Sequence, residues 1–140
     1  MTRMKFARAI TLITVLMPTI AMTGDSITLT EIMQGLRNDL VEISDGLLTD
    51  DFTKIANGAI SIAKHPQIAP EQVKLVAKAL DSEMPAFKQL DTVVHDLSLE
   101  ISAAAENLDR DAVIISYQRM IEGCLNCHHT YKERVTAALL

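Results

Sequence analysis

Residues 124–128 read Cys-Leu-Asn-Cys-His, and these two cysteines are the only ones in a chain of 140 residues. Both thiols thus stand three positions apart, with the imidazole of His128 directly after the second. Several chemistries use such a triplet. A redox dithiol needs a reactive thiolate and is usually preceded by a strand within a βαβ unit. A zinc ion needs four ligands, or three and a water. Covalent haem attachment uses both sulfurs as anchors and the adjacent imidazole as an iron ligand. A disulfide between the pair closes almost no loop and restrains little of the unfolded chain.

The surrounding sequence favours haem. There is no second C-x-x-C, and His65, His95 and His129 match no standard zinc arrangement with the pair. The triplet lies inside an apolar helical pattern, with no strand signal before it. On a helix, two thiols three residues apart lie near one face and reach one porphyrin edge. His128 then approaches the iron from the same side. One covalent haem c is the expected cofactor, with Cys124 and Cys127 as its attachment points and His128 as the proximal iron ligand.

These side chains must be positioned by helices, because apolar residues recur at spacings of three and four throughout. Thr28-x-x-Glu31 spells a capping box. It opens a first helix whose stripe runs through Leu29, Ile32, Met33, Leu36, Leu40, Ile43 and Leu47, and Gly46 is expected to weaken its end. A second helix follows from about Asp50 and stops before His65-Pro66, since a residue preceding proline avoids the helical region. Pro70 suits a first turn, opening a short helix over 70–80. The next restarts between Asp81 and Pro85 and runs to about Asn107, and the last starts at Asp109 to Asp111. The pattern predicts an all-α, antiparallel up-down four-helix bundle.

The first residues, MTRMKFARAITLITVLMPTIAMTGDS, order basic, apolar and small residues as a secretory signal peptide does. Residues 1–23 are read as that leader and 24–140 as one exported, periplasmic domain. Formal net charge is −5; loss of Arg3, Lys5 and Arg8 with the leader takes it to −8. An acidic chain is a poor nucleic-acid binder. No paired-carboxylate motif, Gly-rich phosphate loop or Ser-His-Asp signature is present, so no enzyme is expected.

An all-helical exported chain with its C-x-x-C-H in the last helix resembles the class II c-type cytochromes, the cytochrome c′ group and its low-spin relatives. The resemblance rests on helix order, on Cys124-Leu125-Asn126-Cys127-His128, and on Tyr131-Lys132 after it. It implies a four-helix bundle with covalently attached haem lodged between helices. Members commonly dimerise through their first two helices, which makes a homodimer an implied assembly. Many carry arginine where Lys132 stands, and the two cations are not interchangeable.

The first helix of such proteins faces the sixth iron position. Met33, on the apolar stripe, is the candidate distal ligand, and its competing role is core filling. Counting back from Gly46 in the group's usual register places Thr30 there instead, and threonine is no iron ligand. Met84 lies beside Pro85, and Met120 precedes Cys124 on the proximal side. His129 is expected to face solvent and His65 to lie in a loop. His95 is expected to hydrogen-bond across helices, and Arg37, Lys54 and Arg134 are candidate propionate partners. Two functions follow. With Met33 ligating, the protein carries single electrons between redox partner proteins. With Met33 only packing, five-coordinate iron would bind NO or CO.

Overall fold

The computed structural model describes residues 27–140; the expected leader over 1–23 lies outside them. The described chain is all-helical, its one β feature being an isolated bridge between Ile27 and Ile68. Helix α1 spans Leu29–Thr49, α2 Phe52–Ala63, α3 Pro70–Leu80, α4 Met84–Glu106 and α5 Arg110–Leu139, with a 3-10 turn at Asp81–Glu83 leading into α4. Among the described residues, no helix is long and apolar enough to cross a membrane.

Local chemistry sets the helix ends. At the start of α1 the capping box forms: Thr28 N donates to Glu31 Oε2 at 2.8 Å, and Glu31 N donates to Thr28 Oγ1 at 3.2 Å. Asp51 caps α2 through Lys54 N at 3.0 Å, and Asp109 caps α5 through Ala112 N at 3.0 Å. Asp50 turns the chain between α1 and α2 with φ 58°, a left-handed value that aspartate tolerates better than most residues. Asp51 N then donates to Gly46 O at 2.9 Å.

That turn gives Gly46 a packing role. The helix ends three residues beyond it at Thr49, and the glycine is buried inside α1, where the returning chain crosses it. A Cβ there would meet Ile55 Cγ1 at 2.8 Å and Asp51 O at 2.9 Å. Gly58 serves α2 in the same way, since its Cβ would meet Asp39 O and Ile43 Cγ1, each at 2.9 Å. Missing side chains thus let α1 and α2 pack backbone to backbone.

The core divides in two. One part joins α1, α2, α4 and α5 around Ile43, Ile55, Leu97, Ile101, Val113 and Met120. The other joins Leu29 of α1, Val76 and Leu80 of α3, and Tyr131 and Val135 of α5. Met120 is fully enclosed, its sulfur 3.1 Å from the Ser98 hydroxyl. Met84 packs against the second cluster. Of the three methionines in the described residues, only Met33 is exposed, at 40 %.

Candidate functional site

The second cluster forms the inner wall of a cavity of about 530 Å³ between α1, α3, α4 and α5. From α5, Cys124, Cys127, His128 and Tyr131 face it; from α1, Leu29, Thr30, Met33 and Leu36. Phe87, Leu90, Asp91 and Val94 of α4 and Gln72 of α3 complete the lining used below. Cys124, Cys127, His128 and Met33 therefore converge on one apolar space, although 91 residues separate Met33 from Cys124 along the chain.

Packing explains why the space exists and stays formed. Gly123 lets α5 approach α4, because a Cβ there would lie 3.2 Å from Val94 Cγ2. One turn beyond His128, the buried Tyr131 ring meets Phe87 edge-on, with centroids 5.4 Å apart and planes at 88°, a favoured aromatic geometry. The Arg134 guanidinium lies 5.4 Å from the Tyr131 centroid and is held in two hydrogen bonds by Glu83, at 2.6 and 2.9 Å. Gln72 fixes the other side, its Oε1 accepting from Leu29 N at 2.7 Å.

Both cysteines are free and half-buried. Burial pushes the Cys124 thiol above its ordinary value, and burial together with the negative charge of Asp91 does the same for Cys127. Both shifts disfavour the thiolate that a redox dithiol uses. Among the described residues, no three His, Cys, Asp or Glu side chains gather as a metal-ligand cluster. An apolar cavity with two thiols, an imidazole and a thioether at its wall does suit haem, whose edge and iron call for those donors.

Several expected residues lie elsewhere. His129 is exposed and does not face the cavity. His65 borders a separate cavity of about 370 Å³, with its Nδ1 2.8 Å from Pro66 O. His95 makes no bond across helices; its Nδ1 lies 3.0 Å from Oδ1 of its neighbour Asp96, because α4 turns this position outward. Arg37, Lys54 and Arg134 do not line the main cavity: Lys54 pairs with Asp45 and Arg134 with Glu83. Lys132 is the cation that lines it. Gln72 and Asp91 carried no sequence signal, since only the placement of α3 and α4 brings them to the cysteines.

Comparison with family models, curated proteins and solved structures returns no match for this chain.

Proposed function

We propose that this chain is an exported monohaem c-type cytochrome of the cytochrome c′ type, an antiparallel four-helix bundle that carries single electrons between redox partner proteins. The observation that carries the reading is the shared cavity, which unites Cys124, Cys127, His128 and Met33 among apolar side chains. Cys124 and Cys127 would hold the haem through thioether bonds, His128 would ligate the iron from α5, and Met33 from α1. Haem so held supplies a one-electron couple whose potential a His/Met ligand pair raises.

Contacts between helices support the antiparallel arrangement. Along α4 and α5, Phe87 meets Tyr131, Val94 approaches Gly123, Ser98 meets Met120 and Glu100 meets Ser116, so one number rises as the other falls. Between α1 and α5, Ser44 Oγ and Tyr117 Oη lie 2.6 Å apart at one level, while Leu29 shares a cluster with Tyr131 and Val135 at another. Met33 stands eleven residues before Ser44, and His128 stands eleven after Tyr117. Equal steps of about 1.5 Å per residue along two opposed helices keep such positions level. The register therefore favours Met33 over Thr30 as the partner of His128. Leu29, Leu36 and Val94 would keep water from the same space, lowering the rearrangement that accompanies a change of charge.

The exposure of Met33, 40 %, favours a second reading. A thioether at the rim is not locked by packing, and if it stays away from the iron the cavity would admit NO or CO. Intact mass and optical spectra of the exported protein, oxidised and reduced, with and without CO, separate these readings. The carrier gives a polypeptide mass raised by one haem and a low-spin spectrum with a far-red band that Met33→Ala abolishes. A high-spin spectrum that shifts with CO and ignores Met33→Ala supports gas binding. A polypeptide with no added mass refutes both.

A further inference from the structure

Beyond the four residues assigned above, the cavity wall carries two formally charged side chains, Asp91 and Lys132. Asp91 is the better placed of the two to act on the attachment site. It lies four residues after Phe87 on α4, while Cys127 lies four before Tyr131 on α5, and Phe87 and Tyr131 are in ring contact. One turn from that contact, the carboxylate thus stands at the level of Cys127 and His128.

Asp91 has no evident structural task. Among the described residues it enters no ion pair, although Lys88 and His95 stand one turn away on either side of α4. His95 is engaged with Asp96, and Arg134 with Glu83. An unpaired carboxylate on the wall of an apolar space acts on that space with less screening than one facing only water.

We infer that Asp91 lowers the reduction potential of the site by favouring the ferric over the ferrous state. This rests on the haem reading, and the sign follows from electrostatics: ferric iron carries one more positive charge, so a nearby anion stabilises it more. Lys132 opposes the effect from one turn beyond His128, and the resting potential reflects the balance of the two. Asp91 is exposed, so solvent limits the effect.

A spectroscopic redox titration of the haem-loaded, full-length protein tests this, comparing wild type with Asp91→Asn, Asp91→Glu and Asp96→Asn at low salt. Asp96→Asn removes the same charge from a position off the cavity. The expected result for Asp91→Asn is a three- to tenfold rise in the ferrous-to-ferric ratio at fixed ambient potential. That equals a midpoint raised by about 28–59 mV at 59 mV per tenfold. Asp91→Glu keeps a potential near wild type, Asp96→Asn shifts it by less than half as much, and the low-spin spectrum is unchanged throughout. A haem-loaded Asp91→Asn protein whose midpoint stays still or falls, or moves no further than that of Asp96→Asn, overturns the inference alone. A protein lacking the haem mass overturns the proposed function and the inference with it.

Discussion

Ser44 and Tyr117 meet between α1 and α5, and breaking that contact measures how much it contributes. The Ser44 hydroxyl has one proton, which it gives to Leu40 O at 2.9 Å, so Tyr117 is the donor in the 2.6 Å contact with Ser44 Oγ. Tyr117→Phe removes the donor and leaves Ser44 with its backbone partner, a loss of about 1 kcal/mol for one net hydrogen bond. Ser44→Ala instead leaves the tyrosine hydroxyl unpaired, which costs about 1–3 kcal/mol in a buried site. Here both side chains are only partly buried, so the low end applies, and alanine's better helix propensity returns a few tenths. Each single variant should therefore lose about 1 kcal/mol. The double variant should lose little more than either, a coupling of about 0.5–1 kcal/mol. Urea unfolding of all four proteins reads this directly. Losses that add within about 0.3 kcal/mol would mean the contact contributes nothing. If the same contact sets Met33 level with His128, the double variant also weakens the far-red band.

Much of the fold is legible because local chemistry is explicit. Thr28 and Glu31 announce the start of α1, and Pro66 and Pro70 bracket the connector after α2. Asp109 opens α5, and the spacing of Leu97, Ile101 and Ala105 gives the inward face of α4. The proposed haem-attachment residues are equally plain, since Cys124, Cys127 and His128 fall within five positions and need no tertiary information to be singled out. Gly46 shows the limit of local reading. Alone, a glycine near a helix end suggests fraying, and only the returning chain at Asp51 reveals that it allows close packing.

The rest of the site is not local. Whether Met33 or Thr30 is level with His128 depends on the register of two helices far apart in sequence. A shift of three residues, about 4.5 Å along the axis, exchanges one for the other. Asp91 and Gln72 depend on which turns of α3 and α4 close the cavity, and periodicity gives no signal for an exposed carboxylate that borders one. His95 shows the converse. A bond across helices is expected of it, yet it follows the cavity-lining Val94, and in a helix the next residue is turned by about 100° and so points away.

Three further perturbations probe the scaffold beneath the site. Gly35→Ala meets no atom within 4 Å and should stabilise α1 by up to about 1 kcal/mol through helix propensity. Gly58→Ala forces a Cβ to within 2.9 Å of Asp39 O and should cost about 1 kcal/mol net, since overpacking of about 1–3 kcal/mol outweighs the same gain; opposite shifts of the urea midpoint are the expected readout, and equal shifts would refute the close-packing account. Glu83 gives the pH dependence. Its hydrogen bonds from Arg134 hold the carboxyl below its ordinary 4.5, so its contribution is present above that pH and disappears as pH falls through the lower folded value. Glu83→Gln should then melt below wild type at pH 7 and converge with it near pH 2, with salt narrowing the pH 7 difference because the pair is exposed. A gap between the two melting curves that stays constant from pH 7 to pH 2 would show that the Glu83 charge contributes nothing to stability.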